Sequence, residues 1–142
     1  MKYDDATWHS GGDFPSGSPT QYGGTHIGLF LRWCFTKQWA GELHTEEEPE
    51  DVERVKVGEK SGTDFLFQWC DGKLTDEDLT EEGNAFVSWY YGKGGEYLND
   101  YARRFSDKMY LAPESEHDFQ LFSAMVERRY VSFLSMNSGG AP

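Results

Sequence analysis

Large aromatic side chains recur at helical spacing through most of this 142-residue chain, and they limit the kind of core it can form. Ten Phe, eight Tyr and five Trp stand within a hydrophobic fraction of only 37%. Burial must therefore rest on ring area more than on Ile, Leu and Val. Ile27, Phe30, Leu31, Cys34 and Phe35 share one face of a segment predicted helical from 26 to about 39, with Thr25 as its N-cap and Trp33 and Trp39 widening the face. Pro49 suits the first turn of a second helix that stops near Gly58. Further helices are predicted from Thr63 to Cys70, from Thr80 to Tyr91 after a turn at Lys73–Leu79, from Glu96 to about Ser106, and from His117 to about Phe133. Trp33, Trp39, Phe65, Trp69, Phe86 and Trp89 are assigned to the core.

No stretch alternates apolar and polar residues for long enough to make a convincing strand, and no repeat of 20 to 50 residues occurs. The expected fold is mainly α: one irregular bundle of five or six helices over residues 1–135, with at most one short β-hairpin near a terminus. Residues 10–24, SGGDFPSGSPTQYGG, read as a Gly/Pro-rich irregular arm, and 136–142 as a loose tail.

Charge narrows the function. Twenty-five acidic side chains against 13 basic ones give a net charge of −12, which repels phosphate backbones and anionic membrane surfaces but suits a basic protein partner. No apolar run approaches the ~18 residues of a membrane span, and the N-terminus lacks a basic region followed by an apolar run, so a cytoplasmic location is expected. Cys34 and Cys70 sit singly in aromatic stretches and read as reduced, partly buried thiols.

Acidic residues concentrate in Glu42–Glu53 and Asp71–Glu82. Glu46, Glu47, Glu48, Asp51, Asp76, Glu77, Asp78 and Glu81 are either hydrated acids at helix starts or one acidic face that meets a basic partner. The segment DGKLTDEDLTEE fails as a calcium loop, because Lys73 falls at position 3 and Asp76 where the turn glycine belongs. Trp8, Tyr22 and Tyr91 lie beside glycine-rich segments and are either exposed anchors of a binding surface or rings that pack the arm onto the body. His9, His26 and His44 are scattered singly, outside any HExxH or paired Cys/His spacing, so no metal or cofactor is expected; the fold alone could bring them into a pocket. No nucleophile elbow or phosphate-binding glycine motif is present, and no catalytic residue is assigned.

The strings MKYDDATWHSGGDFP, GGTHIGLFLRW, AGELHTEEEPED, FLFQWCDGKLTDEDLTEEGNAFVSWYY and EYLNDY together resemble a family of small uncharacterised bacterial proteins defined only as a domain of unknown function. The resemblance covers residues 1 to about 101. It implies a stand-alone cytosolic protein of the immunity or antitoxin kind, which neutralises a cognate toxin by covering its active site. It carries over no catalytic residue. The matching polar residues His9, Thr25, His26, Glu42, His44, Asp71, Asp78, Glu81, Glu82 and Asn84 could equally mark a shared pocket. A metal- or ligand-binding enzyme using His9, His26 and His44, and an adaptor module unrelated to toxins, are the competing expectations.

Overall fold

A computed structural model of the chain describes residues 1–10, 14–15, 17–106 and 110–139. Helix α1 (Thr25–Thr36) is its axis, because every residue from Thr25 to Phe35 is buried and a helix surrounded on all sides must sit inside the bundle. Helices α3 (Pro49–Val57), α4 (Gly62–Trp69) and α7 (Glu116–Gly139) pack around it. Helix α5 (Glu81–Tyr90) lies against α7, and α2 (Glu42–Glu47) and α6 (Tyr97–Arg104) complete the seven helices of the described residues. The core is aromatic, as the composition requires. Phe30 meets Tyr97 and Tyr91 edge-on, with centroids 4.8 and 5.0 Å away, and Trp33 meets Trp39 in the same way at 5.5 Å. Offset and edge-to-face pairs of this kind add to the area they bury.

The closest helix crossing is between α1 and α4. A Cβ at Gly28 would overlap Thr63, and one at Gly62 would overlap the Gly28 carbonyl oxygen. Glycine at both positions lets the two backbones touch. The loop before α7 then clamps this crossing. Glu114 accepts the amides of Gly62 and Thr63, each at 2.9 Å, and so places a carboxylate on the positive end of α4. Arg32 of α1 reaches Glu116 at 2.6 Å and lies over the Phe119 ring.

Two short strands complete the fold. β1 (Lys2–Asp5) pairs antiparallel with β2 (Lys73–Thr75), in register Lys2↔Thr75, Asp4↔Leu74 and Asp5↔Lys73, with a bulge between Lys2 and Asp4. A regular strand would alternate inward and outward side chains; here Tyr3, Asp4 and Asp5 are all buried, because the extra residue of a bulge re-aims the side chains that follow it.

The mainly α single domain stands as expected, and α3 has the predicted bounds, with Gly58 in the left-handed conformation at φ 85°. Several details differ. The β element is not a local hairpin, since its strands lie about 70 residues apart. The stretch predicted as a turn, Lys73–Leu79, holds β2 and a 3-10 turn, Asp76–Asp78. Thr25 does not cap α1: it is the first helical residue, and its hydroxyl donates to the Ala112 carbonyl at 3.0 Å. Helix α1 stops at Thr36, and Gln38 adopts φ 67°. Helix α2 went unpredicted because it offers one short turn without a capping side chain. Trp69 is 43% exposed, not core, and donates its indole N–H to Asp51 at 2.8 Å; Trp89 is half-buried. The arm ends in a 3-10 turn, Thr20–Gly24, while 11–13 and 16 lie outside the described residues. Helix α7 continues to Gly139, into the stretch assigned to a tail, and 140–142 lie outside the described residues.

Gly62→Ala is expected to cost about 1–3 kcal/mol by overpacking the α1–α4 crossing, read as a lower midpoint in urea denaturation. An unchanged midpoint would show that the crossing has slack.

Candidate functional site

The bulge in β1 aims Asp4 at the first turn of α1 and the end of α5. Asp5 helps set this geometry: its carboxylate accepts the amide and hydroxyl of Thr7, at 2.9 and 2.7 Å, and so caps the 3-10 turn Ala6–Trp8 that delivers His9. His26 comes from the first turn of α1, where Tyr97 fixes its backbone by donating to the His26 carbonyl at 2.5 Å. His9 Nε2 lies 2.7 Å from Asp4 Oδ1, and His26 Nε2 lies 3.0 Å from Asp4 Oδ2. The two Nε2 atoms are 3.3 Å apart, with the rings edge to face. Asp4 also accepts the Tyr91 hydroxyl and, at 2.8 Å, the Asp5 amide. Tyr110 completes the group with its hydroxyl 2.5 Å from His9 Nδ1.

Asp4 and His26 are almost wholly buried, while the His9 side chain is 12% exposed and gives the cluster its edge toward solvent. On that edge Phe14 of the arm packs on Tyr110, with centroids 5.5 Å apart. Burial alone would raise the Asp4 carboxyl, but hydrogen bonds from His26, His9 and Tyr91 hold it below the usual carboxylate range. Burial lowers His26 despite the adjacent carboxylate, so the ring keeps a lone pair at neutral pH. Burial and the Asp4 charge push Tyr91 up, which keeps its hydroxyl a donor. His26 Nδ1 is buried without a hydrogen-bond partner among the described residues. No lysine or arginine pairs with Asp4 among them.

His44 does not join this group. It sits in a second buried cluster, its Nδ1 2.5 Å from Glu48 and its Nε2 2.7 Å from Asp78, with Cys70 Sγ 3.7 Å away. Asp78 is fixed in turn by the Thr75 amide at 2.8 Å. Burial alone would lower His44, but Asp78 and Glu48 outweigh it and raise the ring above its ordinary value. Burial and Asp78 push the Cys70 thiol far up. With both ring nitrogens held by carboxylates and the thiol protonated, this cluster is an internal ion-pair triad rather than an open donor set. It ties α2 to the turn before α5.

The triad corrects the acidic-face assignment residue by residue. Asp78 is 4% exposed and Glu48 points inward, so neither is available to a partner. Asp51 is occupied by Trp69 and Arg54, and Asp76 pairs with the N-terminal amine at 2.9 Å. Glu46, Glu47, Glu77 and Glu81 are exposed. The Gly41 amide donates to the Asp78 carbonyl at 2.8 Å and brings their two segments together. Of the proposed aromatic anchors, Trp8 is 57% exposed and carries the Lys2 ammonium over its ring. Tyr22 is half-buried. Tyr91 is 6% exposed and bonded to Asp4, so it cannot be an exposed anchor. Sequence reasoning missed Asp4 and Tyr110. The one local signal was the closeness of Asp4 to His9, but it takes the bulge to turn both inward.

These features define a helical protein built around a buried Asp, His, His, Tyr centre. The chain belongs to the family described as Domain of unknown function (DUF7832), whose model matches residues 2–117. The matched span holds Asp4, His9, His26, Tyr91 and Tyr110 and ends at the second residue of α7. No curated protein and no solved structure matches the chain significantly. Among the described residues no helix is long and apolar enough to cross a membrane.

A raised His44 contributes stability that is fully present below its ordinary value of 6.5 and is lost as pH rises through the folded-state value. The stability gap between the wild type and His44→Gln should therefore be widest in mild acid and narrow toward alkaline pH in denaturation curves. A gap that widens with pH would contradict the triad.

Proposed function

We propose that the protein binds one divalent transition-metal ion through Asp4, His9 and His26, and that this centre is its functional site. The observation that carries the proposal is a buried carboxylate with no lysine or arginine partner among the described residues, faced by two imidazole Nε2 atoms 3.3 Å apart. Zinc–nitrogen bonds of about 2.0–2.1 Å at tetrahedral angles place two ligand nitrogens about 3.3 Å apart. The carboxylate oxygens lie 2.7 and 3.0 Å from those nitrogens, which is hydrogen-bond spacing, so an ion would require them to move apart by roughly 0.3–0.6 Å. A cation there would meet a carboxylate already held ionised, since despite burial hydrogen bonds from His26, His9 and Tyr91 keep Asp4 below the usual carboxylate range. Tyr110 on His9 Nδ1 would orient that ligand from outside the donor set. Two imidazoles and a carboxylate suit zinc or ferrous iron. Three protein ligands would leave a fourth position for water or substrate, where the ion would act as a Lewis acid.

Calorimetric titration of chelator-treated full-length protein with zinc should give one site, weakened at least about tenfold in His9→Ala. Because His9 is the most exposed of the three, that variant should melt close to the wild type. No saturable binding by a folded wild type would overturn the proposal.

A second reading rests on the acidic surface, where α2, with exposed Glu46 and Glu47, lies against the 3-10 turn that carries exposed Glu77 and leads to Glu81. The Glu46 carboxyl is raised by its hydrogen bond with, and repulsion from, Glu42, a strain that a cationic partner would relieve. The partner in this reading is a basic protein, and a toxin neutralised by this chain is the case the resemblance implies. Under it, Glu46→Lys with Glu47→Lys and Glu77→Lys should fold normally and lose a stoichiometric partner in a tagged pull-down. Undiminished capture by the folded triple variant would remove the acidic face.

A further inference from the structure

Basic residues are scarce in this chain, yet four arginines line one depression of about 470 Å³ between α6 and α7. Arg103 and Arg104 close α6, and Arg128 and Arg129 come from the middle of α7; Asp100, Met125 and Ser132 complete the lining. Cations at the end of α6 are favoured by the helix dipole. That accounts for Arg103 and Arg104 but not for Arg128 and Arg129, which lie far from either end of a 24-residue helix.

Asp100 arranges two of the four. Arg129 donates Nε and Nη2 to its two oxygens at 2.8 and 2.9 Å, and Arg103 donates Nη2 at 2.8 Å. Tyr90 donates a further bond at 2.7 Å. Burial would raise the Asp100 carboxyl, but Arg129, Tyr90 and Arg103 lower it to about 2. Asp100 thus stays ionised and holds two guanidinium planes in place. Arg104 and Arg128 have no carboxylate partner among the described residues. One carboxylate cannot offset four guanidinium groups, so the depression is a local positive field on a chain of net charge −12.

We infer that this depression is a binding site for a compact phosphate-bearing ligand. Guanidinium forks match phosphate oxygens in pairs, and the volume falls in the small-molecule range. The acidic remainder of the surface repels an extended polyanion, which favours a small phosphorylated molecule over nucleic acid. The inference is independent of the metal centre: it uses different residues, and α7 lies almost wholly beyond the span that matches the family.

Inorganic pyrophosphate is the probe, titrated into chelator-treated full-length protein at low salt, with anionic phospholipid vesicles as a parallel arm. Pyrophosphate should bind at one site, and Arg104→Gln with Arg128→Gln should weaken it at least about tenfold, or 1.4 kcal/mol, while melting is unchanged. Vesicle binding with the same arginine dependence would locate the phosphate on a lipid headgroup. No saturable binding in either arm, equal affinity in the double variant, or equal displacement by chloride would overturn the inference.

Discussion

The carboxylate of Asp4 is the point on which this structure depends. It joins the N-terminal strand to α1 through His26, to α5 through Tyr91, and to the loop before α7 through His9 and Tyr110. Among the described residues its donors carry no fixed charge, yet hydrogen bonds from His26, His9 and Tyr91 outweigh the desolvation and hold the carboxyl below the usual range. Three side chains from separate elements, Asp4 of β1, His9 after the 3-10 turn and His26 of α1, meet at that carboxylate, and the proposed cation site rests on their meeting.

Two of the other buried carboxylates make the contrast. Asp78 faces His44, held charged between two carboxylates, and Asp100 faces two arginines. Each has its counter-charge within the fold. Adjacent tyrosines at the end of α5 divide between two of these centres: Tyr90 donates to Asp100 and Tyr91 to Asp4. A turn of helix with two consecutive aromatic residues thus supports both the arginine-lined depression and the histidine centre, and ring packing around Phe30 holds the pair in place.

Much of the helical fold was legible because helix signals are local. Pro49 and Gly58 bound α3 without reference to anything else, and the apolar faces of α1, α5 and α7 follow from spacing alone. What could not be read was decided at long range. β1 and β2 are a pair only because the chain returns after about 70 residues, and the bulge that sends Asp4 inward leaves no mark in the sequence. His26 was legible as a pocket candidate and does meet His9. His44 was grouped with them on residue type, but Asp78, 34 positions away, captures it instead. Tyr91 sits beside glycines, as an exposed anchor would, yet its hydroxyl reaches Asp4 and takes the ring inside.

The most direct test of the Asp4, His9, His26 centre is the visible absorption spectrum of chelator-treated protein titrated with cobalt(II). The account predicts ligand-field bands of a low-coordinate nitrogen and oxygen site that saturate at one equivalent and vanish in His26→Ala. Bands that are absent, or that persist unchanged in a folded His26→Ala protein, would show that Asp4 and its histidines serve the fold and nothing more.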